Sequence, residues 1–328
     1  MKRCFTSNKH ILRNKINSFN AIRHKKKRKD KVRSVRPPNK DNKDNFNEVN
    51  APKDFSIVTN LKEVKLFIEE IKSNILDNKP VFINMDKVEN VSLDAIIYTI
   101  VFFDEIRENK LNYKINGNFP KDKKARKLIM ESGFLNYIYP HANINIKTDI
   151  LTIKEGFKVD STIATEVSKY LRSKLNIDRS KTKSIQTIII ESMANTYNHA
   201  FKKGEKKVTN KWYLSAFYFE NEVHFVFLDN GRGIANTIKR KFITDLFKND
   251  AELILSAFKG EELRTQTGEK KRGKGLPKIF EKAKDTNIIE LILMANKGLI
   301  NVKNGTFEKM YIDFKGTLLS WKIINEEC

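Results

Sequence analysis

The stretch from Ser184 to Gly233 constrains the fold more than any other part of the chain. Ile185, Ile189 and Met193 recur every four residues, which marks the buried stripe of a helix running from Ser184 to Ala200. Glu191, Asn195 and His199 keep the same spacing on another face, so a carboxylate, an amide and an imidazole fall in line there. Two aromatic-rich segments follow, Trp212–Phe219 and Val223–Leu228, and they meet at Asn221 as a pair of strands. The second runs directly into Asp229-Asn230-Gly231-Arg232-Gly233, which sets a carboxylate at a strand end with two glycines in the turn beyond it.

A carboxylate in that position can accept a hydrogen bond from the exocyclic amine of adenine. Guanine presents an oxygen instead, so two acceptors would face each other and the site should reject it. Gly231 and Gly233 allow a tight turn and close approach of the backbone to a ligand. Farther on, Arg272-Gly273-Lys274-Gly275-Leu276-Pro277 leads into a helix predicted from Leu276 to Lys284, with Pro277 in the first turn, where it is tolerated. A helix start offers free N–H groups and a positive dipole end to an anion, and Lys270, Lys271, Arg272 and Lys274 add charge there. Mg²⁺ takes oxygen ligands and keeps several waters, so the Asn195 amide oxygen and the oxygens of a triphosphate would suit it. Gly316-Thr317 heads the last predicted strand. Taken singly, each of these also suits a polar helix face or an ordinary turn. Their order along the chain carries the weight.

That order resembles the GHKL ATPase family, which groups gyrase, the heat-shock chaperone ATPase, histidine kinases and mismatch-repair clamps. The likeness covers about residues 160–325. It implies an α/β sandwich with a mixed, mainly antiparallel sheet and helices on one face. It implies ATP and Mg²⁺ as ligands, with Asn195 on the metal, Asp229 reading adenine and Thr317 supporting that end through its hydroxyl. Gly231 and Gly233 would shape the adenine pocket. Gly273 and Gly275, flanked by Arg272 and Leu276, would cradle phosphate under a mobile lid from about Thr237 to Lys271. His199 joins the cofactor-binding set, and Glu191 occupies the general-base position of members that hydrolyse ATP. Within the family, Glu191-Ser192-Met193-Ala194-Asn195 followed by His199 is most similar to the anti-sigma-factor serine kinases. None of the five histidines opens a His-Glu phosphoacceptor helix, so a sensor histidine kinase fits less well. No Gly-x4-Gly-Lys-Ser/Thr loop is present.

Upstream, Leu61, Val64, Ile68, Ile71 and Ile75 recur at helical spacing, with Phe67 widening the stripe and Asn60 placed as an N-cap. Phe55–Val58, Val81–Met85 and Leu111–Ile115 read as strands. Ser92 precedes a helix from Leu93 to Glu108, and Asp122 caps another that ends at Ser132-Gly133. This β-α-β-α-β-α unit resembles a STAS domain through Val81–Met85, Glu89-Asn90-Val91-Ser92 and Gly117-Asn118-Phe119-Pro120 to Phe134. In that family a serine opening the helix is phosphorylated by a partner kinase. Ser92 is the nearest candidate here, although the Asp-Ser-Ser-Gly-Leu run is missing, and a plain N-cap hydroxyl is the alternative.

The basic excess is uneven. Residues 1–50 hold 16 Lys+Arg against 4 Asp+Glu, which is +12 of the chain's +23. That head has little apolar surface to bury and is expected to be an unstructured arm, contacting nucleic acid or an acidic partner, or simply solvated. The longest apolar run, Ala95–Phe103, is far short of the ~18–20 residues a membrane span needs. Cys4 and Cys328 form no metal or disulfide pattern, and no signal sequence is evident, so a cytoplasmic location is expected. The sequence thus predicts an arm over 1–53, a STAS-like domain over 54–150 and a GHKL domain over 151–328. The expected function is an Mg-dependent ATP-binding regulator, a serine kinase or switch acting on a STAS-like or sigma-like protein partner. An ATP-hydrolysing clamp and a nucleotide-gated nucleic-acid binder are the alternatives.

Overall fold

A computed structural model of the chain describes residues 46–138, 150–201, 210–238, 248–260 and 274–325. Most of the basic arm, and most of the expected lid, lie outside these ranges.

The first unit comprises β1 (Asn47–Asn50), β2 (Asp54–Phe55), α1 (Ile57–Leu76), β3 (Val81–Asn84), β4 (Asn90–Val91), α2 (Leu93–Glu108), β5 (Ile115–Gly117), α3 (Lys123–Glu131) and α4 (Phe134–Ile138). Its sheet is parallel, in the order β1-β3-β5, and the short strands β2 and β4 pair separately. The expected unstructured arm reaches too far. Asn47–Asn50 forms the first strand, and Val49 is fully buried in it. One apolar residue among polar neighbours suffices at a sheet edge, because alternate side chains face water. Asp54–Phe55 is a strand, but Ile57 already begins a helix capped by Ser56 rather than by Asn60. Asn60 instead interrupts α1, with φ −143° after one turn. The third strand begins at Ile115, where the sequence suggested it would end. Asp122 does cap α3, accepting from the Ala125 amide at 2.8 Å.

The second unit comprises β6 (Ile150–Gly156), α5 (Ser161–Leu175), α6 (Lys183–Asn195), a π-helical turn (Thr196–Ala200), β7 (Trp212–Phe219), β8 (Glu222–Asp229), α7 (Asp250–Phe258), α8 (Gly275–Lys282), β9 (Ile288–Asn301) and β10 (Thr306–Ile324). Its five strands are antiparallel throughout, in the order β6-β7-β8-β10-β9. Glu220 and Asn221, both at positive φ, make the two-residue turn between β7 and β8. Ile288–Met294, Leu299–Val302, Met310–Phe314 and Thr317–Ile324, each of which reads as a separate short strand in the sequence, merge into β9 and β10. Asn296-Lys297-Gly298 lies inside β9 at a register shift, and the hairpin falls at 302–305. A turn signal inside a long edge strand becomes an irregularity when cross-strand pairing continues on both sides of it.

Both faces of this sheet are covered. On one, Phe225, Phe227, Leu293 and Trp321 pack against Ile185, Ile189, Leu253 and Ile279 of the helices. On the other, Tyr213, Val226, Leu228 and Leu318 join the core of the first unit. That explains α2, which is apolar nearly all round because it packs against α1 and α4 and against strands β7 and β8. Two neighbouring acids of α2 seal this seam. Asp104 accepts from Arg107 at 2.6 Å and from the Tyr213 hydroxyl at 2.6 Å, and Lys211 lies 3.6 Å away. Glu105 pairs with Lys315 at 2.7 Å. Burial and the adjacent Asp104 carboxylate hold the Tyr213 hydroxyl protonated, far above the ordinary phenol range. Asp104→Ala strips a largely buried cluster of its acceptor and should cost about 2–3 kcal/mol in chemical denaturation. A loss below ~0.5 kcal/mol would show that the seam does not depend on it.

Ser92 heads α2, but its hydroxyl donates to the buried carboxylate of Asp94 and accepts from no amide of the helix. Asp94 in turn accepts from the Ile57 amide at the start of α1, at 2.7 Å. Among the described residues no helix is long and apolar enough to cross a membrane.

Candidate functional site

Asp229 is the last residue of β8 and is flanked in register by Trp212 of β7 and Thr317 of β10. Its Oδ1 accepts from the Gly231 amide at 2.9 Å and its Oδ2 from the Thr196 hydroxyl at 3.2 Å. Burial outweighs these hydrogen bonds and those from Thr317, so the carboxyl is pushed up to about 6. It lies on a cavity of about 250 Å³ whose walls include Phe227, Ile234, Ile279, Leu293 and Leu319. A single buried carboxylate in an apolar cavity is a device for orienting a flat, hydrogen-bonding ligand.

The turn after Asp229 is built by close packing. A side chain at Gly231 would sit 2.5 Å from Ala200, and one at Gly233 (φ +78°) would sit 2.4 Å from the Asn296 amide. Asn296 is buried in β9 and pins this turn: its Oδ1 accepts from the Ala235 amide and its Nδ2 donates to the Arg232 carbonyl, each at 3.0 Å. This role is not legible locally, because Asn-Lys-Gly reads as a hairpin turn and nothing near it marks it as buried. Gly316 matters similarly. At φ +98°, a Cβ there would lie 2.0 Å from the Asp229 carbonyl oxygen. Gly316→Ala should therefore cost about 3 kcal/mol, combining left-handed strain and overpacking. Gly305, at φ +71° with nothing within 4 Å, supplies the control and should cost only about 1–2 kcal/mol. Equal losses in thermal unfolding would show that the contact with Asp229 is not tight.

On the same cavity, α6 ends at Asn195 and the chain continues as a π-helical turn through His199. The wider turn changes the angular step, so Glu191, Asn195 and His199 do not stay in one straight line. Asn195 and His199 line the cavity together with Ser192, Asp229, Gly233, Lys274, Gly275, Leu276 and Thr317. Glu191 stands beside it, facing the start of α8. A Cβ at Gly275 would lie 2.8 Å from Asn195 Oδ1 and 3.0 Å from Glu191 Oε2, so the glycine lets the α8 N-terminus close on both side chains. Lys278, which sequence reasoning passed over, reaches Glu191 Oε1 at 2.6 Å. Arg272 and Gly273 lie outside the described residues. Of the expected lid, Thr237, Ile238, Ala257 and Gly260 line the cavity.

The cavity wall offers Asp229, Thr317 and Asn195 as polar groups within a largely apolar lining, a donor set for a ligand and not for a protein-caged metal. Among the described residues no group of three or more His, Cys, Asp or Glu could hold a metal ion. A cation here would depend on Asn195 together with oxygens that a ligand brings, which is how Mg²⁺ is commonly held.

No protein-family profile matches this chain, and no curated protein matches it at a significant level. A chain of the SiaB–SiaC complex from Pseudomonas aeruginosa is similar at 14% sequence identity and a TM-score of 0.30, over 53% of this chain and 90% of that one. At that score the likeness carries no functional reading, which rests on the site itself.

Proposed function

We propose that the chain binds ATP with Mg²⁺ in this cavity as a GHKL-type regulatory ATPase or serine kinase acting on a protein partner. The observation that carries the reading is the buried Asp229 carboxylate in a largely apolar cavity that Asn195 and Gly275 at the N-terminus of α8 also line. Adenine would donate its amine to Asp229, and the phosphates would lie toward Gly275, where the helix dipole favours them. Mg²⁺, when bound through Asn195, would neutralise phosphate charge. Glu191 would hold the proton of an attacking water or hydroxyl. Incubation with γ-labelled ATP and Mg²⁺ tests this: label on protein marks a kinase, free phosphate marks a hydrolase, and neither product marks a passive switch. Absence of any adenine-nucleotide binding overturns the proposal.

The elevated Asp229 carboxyl gives the site a pH signature. A nucleotide that donates to the ionised form must displace the proton. With a value of about 6, the group is mostly ionised at pH 7 and mostly protonated at pH 5. ADP affinity should therefore fall about tenfold between pH 7 and pH 5 and level off above pH 7. The nucleotide-free protein behaves oppositely. Its folded carboxyl lies above the ordinary 3.8, so the folded state holds the proton more tightly and the contribution of Asp229 to stability drops by about 3 kcal/mol as pH rises from about 4 to 6. An ADP affinity independent of pH between 5 and 7 would remove Asp229 from the contact.

A further inference from the structure

The carboxylate best placed to act as a base is already engaged. Glu191 Oε1 accepts from Lys278 Nζ at 2.6 Å, while Oε2 faces Gly275 at the cavity edge. The two partners differ in exposure: the Glu191 side chain is 17% exposed and that of Lys278 is 52% exposed. Glu191 is thus fixed on the packed α6–α8 contact, whereas Lys278 sits on a long flexible stem with its head half in water. A half-exposed ion pair contributes little and is easily exchanged. Lys278 lies about one helical turn beyond Gly275 on α8, and its ammonium holds the same carboxylate that faces that glycine, toward which the phosphates are proposed to lie.

We propose that Lys278 is a specificity-determining residue for the terminal phosphate of a nucleoside triphosphate. This rests on the nucleotide reading above. A terminal phosphate is a stronger partner than a single carboxylate, because it carries more charge and three acceptor oxygens. With a triphosphate in the cavity, the Lys278 ammonium moves from Glu191 to that phosphate, and Glu191 Oε1 is freed to accept a proton. With a diphosphate, nothing draws Lys278 away and the carboxylate stays covered. The same lysine therefore distinguishes ATP from ADP and uncovers the base only when there is a phosphoryl group to transfer.

The test is calorimetric titration of the full chain with Mg²⁺ and, separately, ADP and an imido-bridged non-hydrolysable ATP analogue. The wild-type chain should prefer the analogue. Lys278→Met should weaken the analogue about tenfold and ADP less than about twofold, and Lys278→Arg should restore most of the preference. Glu191→Gln, which removes the competing carboxylate charge, should tighten the analogue roughly two- to fivefold. The double variant Lys278→Met with Glu191→Gln separates contact from background charge: the preference should still be absent. If Lys278→Met binds ADP normally and keeps the wild-type ratio, or weakens both ligands equally, Lys278 does not read the terminal phosphate. If the wild-type chain binds neither nucleotide, the nucleotide reading itself fails and this inference falls with it.

Discussion

Asp229→Ala is expected to weaken ADP binding at pH 7 by about ten- to hundredfold, and the wild-type chain is expected to bind GTP no better than that variant binds ADP. A hydrogen bond to a charged group contributes about 1.5–3 kcal/mol, and about 1.4 kcal/mol corresponds to a factor of ten in affinity. The buried setting favours the upper half of that range, because no water replaces the lost acceptor at the base. The variant should not unfold. Asp229 is ionised inside an apolar wall at a cost, as its elevated value of about 6 shows, and alanine removes that cost together with the bonds to Gly231 and Thr196. Calorimetric titration with ADP and GTP on both proteins decides the matter. Equal affinity of the wild-type chain for the two nucleotides would sink the adenine assignment.

The same residues show how far the sequence could be read. The helix carrying Asn195 was legible from its 3.6-residue apolar period, and the strand ending at Asp229 from its run of β-branched and aromatic residues, each with chemistry at a fixed offset. Which residues meet across the cavity was only partly legible. Asn195, His199, Asp229, Gly233, Gly275, Leu276 and Thr317 do line one cavity, though they span most of the second unit. Asn296 and Lys278 were not legible. One is a buried polar residue whose partners are backbone groups far away in sequence, and the other is one lysine among many. The bent path from Asn195 to His199 was missed because a π-turn leaves no mark in residue spacing. The docking of the first unit was hidden for a similar reason. Alternation on β8 is blurred when both faces are buried, and the all-round apolar surface of α2 reads only as "buried", without saying against what.

Glu191→Ala is expected to slow γ-phosphate release or transfer by ~10²–10⁴-fold while leaving ADP affinity within about threefold. The geometry separates the two quantities. Asp229 and the apolar wall would hold the adenine, whereas Glu191 stands beside Asn195 at the start of α8 and is not among the residues that line the cavity. Removing its charge next to a triphosphate cannot weaken binding through repulsion, so any change in affinity should be a gain. Asn195→Ala should behave in the opposite way, losing the portion of binding that depends on Mg²⁺. Stability provides little confounding effect, because the Glu191–Lys278 pair is partly exposed and such pairs contribute at most about 1 kcal/mol. Single-turnover measurement with labelled ATP on the wild type and both variants distinguishes the cases. If Glu191→Ala turns over at the wild-type rate, no proton passes through Glu191. The carboxylate would then serve only to hold Lys278 and α8 against α6, and occupancy of the cavity rather than chemistry would be what the chain reports to its partner.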